Sequence, residues 1–428
     1  MTRLKMSRNI VRKIVRKNKC RLCGGRGMEL VLQLTPTPLA DSYVTAEQTN
    51  NAQEIYPLDV ALCRDCGNVQ LLDVVAPEIL YSNFIYETAT SPGLVEHFRK
   101  AAGQILQRVH APNAPKGAFA IDIGSNDGSL LEFFKSKGMN VLGIEPAKEI
   151  AKKVNESGIK TLPAFFTAGL AQKIKKDYGS AYLITANNTI ANIDDLADMV
   201  EGISDLLAPN GVFVFETGYL LDLVQKCVFD NIYHEHLSYF SVKPLQRFFH
   251  NNGMELIDVE RIPTKGGSLR CFVQHKNDPR KTERSVHSLI KLEEDFGLHN
   301  PKAFKSLADK LDNVRNELKE LLDGLKAKGK KIAGYGASHS VTTLLYHFDI
   351  GKMLDFIVDD NPIKQNTYSP GLHIPVLSQK ALYDKSPDYA VILAWRFAGQ
   401  IIKKHQEFLD KGGRFISVLP EVEVRRIG

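Results

Sequence analysis

One stretch of the chain, from residue 119 to residue 145, restricts the fold more than any other. An apolar run ends in Asp122 and breaks at Gly124, and Gly128 then precedes leucines and phenylalanines at helical spacing. The next apolar run, residues 141–144, is typical of a buried strand and is followed by Glu145. This order of strand, glycine turn, helix, strand and acidic residue brings a backbone close to a nucleoside. It also puts a carboxylate where it can accept both ribose hydroxyls.

Two kinds of cofactor use this arrangement, and the glycine spacing distinguishes them. The dinucleotide fingerprint needs glycines at its first, third and sixth positions, whereas Asn126 and Ser129 occupy the third and sixth positions here. The pattern D-x-G-x-N-x-G, from Asp122 to Gly128, instead resembles the S-adenosylmethionine loop of class I methyltransferases. An ordinary tight turn between a strand and a helix remains the alternative.

Four of the six cysteines form two close pairs, each a C-x-x-C followed by glycine. This spacing lets both sulfurs of a pair face one ion, and two such pairs are typical of a four-thiolate zinc site. Because four thiolates leave no open coordination position, the zinc is expected to be structural. A redox role would need a strand-to-helix junction, and disulfides would need an oxidising compartment. The predicted ligands are Cys20, Cys23, Cys63 and Cys66.

The positive charge is concentrated at the N-terminus. The chain has 428 residues and a formal net charge of +6, and residues 1–19 hold eight Lys and Arg and no acidic residue. The remainder therefore carries a formal net charge of −2, so the body of the protein is not basic. The tail is predicted to be solvated and mobile, with contact to nucleic acid, anionic lipid or a phosphorylated ligand as the alternative.

Composition indicates a globular protein of two or three domains, since 43% of the residues are hydrophobic and 24% are charged. No apolar run approaches the length of a membrane span, and no apolar core follows the charged N-terminus as it would in a cleavable signal. We therefore expect a cytoplasmic protein without a membrane or nucleic-acid partner, as a monomer or a homodimer.

Strands and helices alternate in two parts of the chain, which predicts an α/β fold with two Rossmann-like domains behind a small zinc module. The predicted boundaries are 1–19 for the basic tail, 20–80 for the zinc-binding domain, 81–280 for the first α/β domain, 281–330 for a helical connector and 331–428 for the second α/β domain.

Polar residues follow two strands of the first α/β domain. Ligands of open α/β sheets bind at the carboxyl ends of strands, so Asn187, Asn188 and Glu216 are site candidates, with turn capping as the alternative. Further along, Ser268 and Arg270 flank a Gly-Gly turn and can face an anionic ligand. A plain hairpin turn explains the same spacing.

The second α/β domain opens with a strand that enters a glycine turn, and a helix is predicted to start near Ser340. Backbone N–H groups at such a helix start can bind a phosphate, so Gly336 and Ser338 are candidate contacts. The turn is not a complete dinucleotide fingerprint.

A run of four acid/base-capable residues follows the first α/β domain: Tyr233, His234, Glu235 and His236. The histidines are two apart and cannot share a helical face, which excludes the H-E-x-x-H zinc motif. A histidine beside a carboxylate can act as a general base near neutral pH. A hydrogen-bonded polar corner is the alternative.

The order of these motifs resembles that of the sugar C-methyltransferases of deoxysugar biosynthesis, from about residue 20 to about residue 420. The shared motifs are the two C-x-x-C pairs, Tyr-x-x-x-x-Tyr before a helix, D-x-G-x-N-x-G, Tyr-His-Glu-His-x-x-Tyr-Phe-Ser, Gly-Gly-Ser-x-Arg and Gly-Tyr-Gly-Ala. The resemblance implies a zinc-binding domain, a class I methyltransferase domain and a Rossmann-like C-terminal domain that binds the substrate.

The same resemblance implies a substrate and residue roles. The substrate would be a nucleotide-linked 4-keto-6-deoxyhexose, usually on dTDP, methylated at ring carbon 3 through an enolate. His236 would be the base, with Tyr233 and Glu235 beside it and Tyr86 bordering the site. The residues that would hold S-adenosylmethionine are Asp122, Gly124, Asn126, Gly128, Glu145 and Asn187.

Three departures from the family pattern lie where the substrate is expected. Ser338-His339-Ser340-Val341 stands where a small residue and a Lys-Gly pair are usual, and Lys265 precedes Gly266 where a histidine is common. Asn188, the second residue of Asn187-Asn188, also differs from the family pattern. The particular sugar and nucleotide therefore stay open. Methylation of another carbon, an oxygen or a nitrogen is the alternative activity, and a non-catalytic ligand-binding relative is the alternative class.

Overall fold

The computed structural model describes residues 13–81, 92–109 and 117–425. These residues form two sheets of seven strands, one of four strands and one of two strands. The larger sheets belong to the two α/β units, and the smaller ones to the cysteine-bearing module. The predicted α/β class is confirmed.

The N-terminal module begins before the first cysteine. Its strand β1 pairs with β5, and Arg16 contacts both Asp59 and Asp73. The described part of the basic segment, residues 13–19, is therefore held by strand pairing and ion pairs, while most of its residues are exposed to solvent as expected. The elements of the module are β1 (Ile14–Arg16), β2 (Met28–Thr37), β3 (Tyr56–Cys63), β4 (Val69–Leu71), β5 (Asp73–Val75) and α1 (Pro77–Tyr81).

The first α/β domain is a doubly wound sheet whose central strands are buried on both faces, as parallel strands between helices must be. Strands β6 to β10 run parallel to their neighbours, and β12 and β13 complete the sheet antiparallel, in the order β12-β13-β10-β9-β6-β7-β8. The elements are α2 (Pro92–Val109), β6 (Phe119–Ile123), α3 (Ser129–Ser136), β7 (Asn140–Ile144), α4 (Lys148–Glu156), β8 (Thr161–Leu162), α5 (Ala168–Tyr178), β9 (Ala181–Asn187), α6 (Leu196–Leu206), β10 (Leu207–Gly218), α7 (Leu220–Gln225), β11 (Ser238–Tyr239), α8 (Val242–Asn251), β12 (Met254–Ile262) and β13 (Ser268–His275).

Strand β11 leaves this domain and joins the N-terminal module. It pairs with β4, with Ser238 opposite Gln70 and Tyr239 opposite Val69. The acid/base run is therefore followed by a strand that pairs with the neighbouring module.

Two helices, α9 (Arg284–Phe296) and α10 (Pro301–Ala327), lie between the two α/β domains in the chain. The long helix starts efficiently because Asn300 caps the amide of Lys302 and proline occupies the first turn. Its apolar residues recur at helical spacing on one buried face: Phe304, Leu307, Leu311, Val314, Leu318, Leu322 and Leu325.

The C-terminal domain is a second sheet with parallel central strands, in the order β16-β17-β15-β14-β18-β19-β20. No helix in the described ranges combines the length and apolar composition needed to cross a bilayer. The elements are β14 (Ile332–Tyr335), α11 (His339–His347), β15 (Phe356–Asp359), β16 (Thr367–Tyr368), β17 (Pro375–Ser378), α12 (Ala381–Asp384), β18 (Tyr389–Ile392), α13 (Ala398–Lys404), α14 (Gln406–Asp410), β19 (Arg414–Ser417) and β20 (Glu423–Arg425).

Candidate active site

A cavity of about 1290 Å³ lies where the first α/β domain, the acid/base run and the C-terminal domain meet. The carboxyl ends of β6, β7 and β9 form one side, and the start of α11 forms another. Predicted cofactor and catalytic residues therefore share one space. Those that line it are Asp122, Gly124, Asn126, Glu145, Asn187, Asn188, Tyr233, Glu235, His236 and Ser338.

The glycine loop after β6 needs residues without a Cβ atom. Gly124 has φ of 72°, and a Cβ there would lie 2.3 Å from Oγ1 of Thr189. Gly128 has φ of 77° and starts α3, and its Cβ would lie 3.0 Å from Val154. Gly128 supports the loop from outside the cavity wall. The two glycines thereby let the loop pack closely against Thr189 and Val154.

Glu145 is fixed by the same loop. One carboxylate oxygen accepts the amide of Asn126 at 2.9 Å, and the other accepts the amide of Ala147 at 2.8 Å. Burial raises the pKa of Glu145, and these two backbone hydrogen bonds oppose that rise. Each oxygen keeps a further lone pair, so the carboxylate is oriented and can still accept ribose hydroxyls.

Asp122 lies deeper in the same wall and is only 4% exposed. It accepts a hydrogen bond of 2.6 Å from the hydroxyl of Thr185 on the neighbouring strand. Burial raises its pKa to about 7. Asp122 therefore joins β6 to β9 at this wall of the cavity.

The imidazole of His236 has a defined tautomer. Its Nδ1 lies 2.8 Å from the carbonyl oxygen of Asn231, which can only accept, so Nδ1 carries the proton. Nε2 is then the lone-pair nitrogen and accepts the hydroxyl of Tyr233 at 3.0 Å. Burial is the main cause that lowers the pKa of His236 to about 3. The ring is therefore a neutral base whose lone pair faces Tyr233.

Glu235 lies in a cluster of titratable side chains that also contains Asp41 of the N-terminal module. Burial, with a further contribution from Asp41, raises the pKa of Glu235 to about 8. Nε2 of His339 lies 3.9 Å from Glu235 and 3.5 Å from Asp41, and Lys364 pairs with Asp41. Glu235 is protonated at neutral pH and can donate a hydrogen bond into the cavity.

Glu216 and Arg270, predicted to bind substrate, bind each other instead. They lie opposite one another on β10 and β13, and Nε of Arg270 is 2.7 Å from a Glu216 oxygen. Both side chains are 2% exposed, and neither lines the cavity. Arg270 also donates to Gln104 and Glu260 at 2.8 and 2.9 Å. The structure thus places the two residues in a buried ion pair that joins strands and helix.

Ser268 and Gly336 also lie behind the cavity wall. The hydroxyl of Ser268 donates to the carbonyl of Thr264 at 3.0 Å and closes the hairpin turn, so the hairpin alternative describes its role. Gly336 has φ of 103°, and a Cβ there would lie 2.6 Å from Ala394. The hairpin turn accounts for the serine at 268, and the positive φ with close packing accounts for the glycine at 336. Tyr86, the remaining predicted catalytic residue, lies outside the described residues.

Three residues that the sequence did not single out as site residues also line the cavity: His97, Lys265 and His339. Nε2 of His97, on α2, is 2.7 Å from Glu216, so the buried ion pair reaches the cavity through this ring. Lys265 and His339 were noticed only as departures from a family pattern. No spacing rule identifies His97, because a single histidine on an amphipathic helix is usually a surface residue.

The four predicted cysteine ligands converge. Their sulfur atoms lie within 4.8 Å of one another, and the pairs Cys20–Cys66 and Cys23–Cys63 are each 3.6 Å apart. A tetrahedral zinc with Zn–S bonds of about 2.3 Å requires sulfurs roughly 3.8 Å apart. The thiolates therefore fit a closed structural zinc site.

Comparison with known proteins extends to almost the whole chain. Residues 20–81 match a family of zinc binding domains, residues 94–259 a methyltransferase domain, and residues 263–420 a C-methyltransferase C-terminal domain. The chain is 34% identical over 417 residues to the C-methyltransferase NovU of Streptomyces niveus, covering 97% of this chain and 98% of that protein.

Two solved methyltransferase structures each align with less than half of the chain. An S-adenosylmethionine-dependent methyltransferase of Clostridium acetobutylicum is 14% identical, with a TM-score of 0.34, and the alignment covers 42% of this chain and 92% of that one. Magnesium protoporphyrin IX methyltransferase of Synechocystis with bound S-adenosylmethionine is 12% identical, with a TM-score of 0.33, and covers 46% and 89%.

The match to the curated relative extends over both chains, and the three matched domains occur in the order that the motifs predicted. The glycine loop, Glu145 and the four cysteines fit S-adenosylmethionine and structural zinc. This chain belongs to the C-methyltransferase family and is an S-adenosylmethionine-dependent methyltransferase.

Proposed function

We propose that this enzyme methylates ring carbon 3 of a nucleotide-linked 4-keto-6-deoxyhexose through an enolate of the substrate. The observation that carries the proposal is the hydrogen-bonded chain from Tyr233 through His236 to Asn231, with bonds of 3.0 and 2.8 Å. It holds a neutral imidazole at the cavity that also contains the glycine loop and Glu145.

The base solves the problem that carbon is a poor nucleophile. A ketone acidifies the hydrogen on the adjacent carbon, and that C–H takes the place of the Tyr233 hydroxyl at Nε2 of His236. The proton moves to Nε2, the C–H electrons form a C=C bond, and the carbonyl electrons move to oxygen. Negative charge then develops beside the ring and raises its proton affinity. A positioned base contributes about 10²–10⁴-fold in rate.

The glycine loop supplies the cofactor side of the reaction. S-adenosylmethionine, when bound, supplies a methyl group on positively charged sulfur, and methyl transfer leaves a neutral thioether. Glu145 is oriented by the amides of Asn126 and Ala147 and would hold the ribose. Gly124 allows the loop to keep this position, because a Cβ at this residue would collide with Thr189.

The side of the cavity formed by the C-terminal domain favours a substrate that carries a nucleoside diphosphate. Helix α11 begins there, and a helix N-terminus favours an anion. Arg396 and Trp395 line the same wall, and Phe397 is 56% exposed beside them. A helix N-terminus beside an exposed aromatic ring suits a diphosphate and a base better than it suits a free sugar.

The experiment separates proton removal from methyl transfer. The enzyme is incubated with dTDP-4-keto-6-deoxyglucose in deuterated water, first without S-adenosylmethionine, and deuterium is followed at carbons 3 and 5 by NMR. We expect the wild type to exchange at carbon 3, and the exchange rate to fall by at least about 10²-fold in His236→Gln. The cofactor is then added and methyl gain is followed by mass spectrometry.

The matched control is His287→Gln, which changes an exposed histidine on α9. It should exchange and methylate as the wild type does. Exchange confined to carbon 5 would contradict methylation at carbon 3, since both carbons flank the ketone. Methylation with undiminished exchange in His236→Gln would remove the base from this mechanism.

A further inference from the structure

Three cationic side chains line the cavity, and two of them are neutralised by nearby carboxylates. Lys226 lies 2.6 Å from Asp222, and Arg396 donates to both oxygens of Asp230 at 2.8 and 2.9 Å. Within the described ranges, Lys265 has no carboxylate oxygen within 4 Å. Its ammonium group is therefore the cavity cation that can pair with a charge on the substrate.

The backbone of Lys265 is held in an unfavourable conformation that directs this side chain. Its φ of 53° and ψ of 28° lie in the left-handed region, which non-glycine residues seldom adopt. The following turn is tightly packed, since a Cβ on Gly267 would lie 2.3 Å from Asp222. Strain of this kind persists where the surroundings enforce it, and it is concentrated at functional sites.

The residue that orients the base also holds Lys265. The side-chain amide of Asn231 donates to the Lys265 carbonyl at 3.2 Å, while the Asn231 carbonyl accepts Nδ1 of His236 at 2.8 Å. His236 and Lys265 thus have positions set by one residue. The positive charge of Lys265 also acts on this ring, because it adds to the burial that lowers the pKa of His236.

We propose that Lys265 is a catalytic residue whose ammonium group binds the ketone oxygen and neutralises the charge of the enolate. The inference rests on the proposed function and deepens it. As the C–H bond breaks, the proton goes to Nε2 of His236, and the carbonyl electrons collect on the oxygen that Lys265 faces. Lys265 keeps its own proton and donates it as a hydrogen bond. Such preorganised donors contribute about 10²–10³-fold to the rate.

The test compares Lys265→Met, Lys265→Arg and the wild type in the deuterium exchange assay with dTDP-4-keto-6-deoxyglucose, without S-adenosylmethionine. We expect Lys265→Met to lose about 10²–10³-fold in the exchange rate at saturating substrate, with KM changed only a few-fold. Lys265→Arg should recover part of the rate, since it keeps the charge. Lys291→Met, an exposed control on α9, should exchange at the wild-type rate.

Two binding measurements distinguish this role from others. Calorimetry with S-adenosylmethionine should give the wild-type affinity in Lys265→Met, which shows that the variant is folded. Calorimetry with dTDP alone should also be unchanged. Loss of dTDP affinity, or a large rise in KM with an unchanged rate, would place Lys265 on the diphosphate and overturn the proposal.

Failure of the proposed function has a different signature. If the wild type exchanges and Lys265→Met exchanges equally fast, only the role of Lys265 is overturned. If the wild type binds the substrate but exchanges neither carbon 3 nor carbon 5, the enolate mechanism and the role of Lys265 are both overturned.

Discussion

Arg21, inside the first C-x-x-C pair, donates a hydrogen bond of 3.1 Å to the carbonyl of Leu237, the residue after His236. The same guanidinium donates to the carbonyl of Leu71 at 2.7 Å and to Asp194 at 2.9 Å. Asp194 lines the cavity. One side chain therefore links the zinc site to the strand that ends the acid/base run and to the cavity wall.

We expect Arg21→Met to weaken catalysis while leaving the zinc ligands intact. The side chain is 2% exposed and makes charged hydrogen bonds, so its loss should lower the free energy of unfolding by about 2–3 kcal/mol. Displacement of the base should lower the exchange rate by about 10–10²-fold. Metal analysis checks that zinc is retained. The exposed Arg26→Met, in the same module, should leave both rate and stability near the wild type; equal losses in both variants would contradict a specific role of Arg21.

The buried pair of Arg270 and Glu216 predicts a loss of stability rather than of substrate affinity. Arg270→Met removes the arginine from the buried Glu216 carboxylate and leaves it the hydrogen bond with His97, so the free energy of unfolding should fall by about 3–5 kcal/mol. Urea denaturation measures this, and KM of the folded enzyme should change little.

The double variant Glu216→Gln with Arg270→Met is the matched control for this pair. It removes both charges and should recover part of the lost stability, because an unpaired buried charge costs more than an absent pair. A large rise in KM without loss of stability would instead restore Arg270 to the substrate contacts that its sequence position favoured.

Elements read from local sequence were predictable. The strand, glycine turn, helix and acidic residue from Asp122 to Glu145 lie close in the chain, and each step has a local cause in apolar spacing or in a glycine. The same holds for the cysteine pairs, where ligand spacing within each pair is set by the metal. In such patterns the local sequence is enough to predict the local geometry.

Contacts between distant segments were not predictable in this way. Asp41, Glu235 and His339 lie in three different domains, and no local pattern shows that they meet. Arg270 and Glu216 were predicted as substrate contacts from local sequence, which does not show that antiparallel pairing of β10 with β13 places them opposite one another. A polar residue at a strand end looks the same in sequence whether its partner is a ligand or another strand.

The glycine loop predicts that a single methyl group at residue 124 lowers cofactor affinity. In Gly124→Ala the new Cβ would lie 2.3 Å from the Thr189 hydroxyl, and φ of 72° adds about 1–2 kcal/mol of strain. We expect S-adenosylmethionine affinity, measured by calorimetry, to fall at least about tenfold. Gly138→Ala is the matched control, because Gly138 has φ of 86° but open space around its Cβ position. Gly138→Ala should lose about as much stability from the backbone strain as Gly124→Ala and should keep the wild-type affinity for S-adenosylmethionine. Equal cofactor affinities in the two variants would contradict the role of the loop.

The alkaline limb of the pH profile should report on Lys265. Desolvation by the protein around the cavity is the main cause that lowers the pKa of Lys265 to about 8; Arg396 lowers it further, while Glu216 and Glu235 oppose this effect. The Lys265 side chain carries its proton and its positive charge below about pH 8 and loses both above it. His236, with a pKa of about 3, stays neutral throughout. The deuterium exchange rate, corrected for exchange without enzyme, should be level from about pH 5 to 7 and fall above pH 8.

Glu235 titrates in the same range and must be separated from Lys265. Burial raises its pKa to about 8, so it loses its proton where Lys265 does, and Asp41, His339 and Lys364 face the same group. Lys265→Arg keeps its charge at high pH and should move the alkaline limb upward, whereas Glu235→Gln should keep the limb near pH 8. The opposite result, a limb that survives in Lys265→Arg and disappears in Glu235→Gln, would assign it to the carboxyl group, since a neutral Glu235 would then be the donor that catalysis requires.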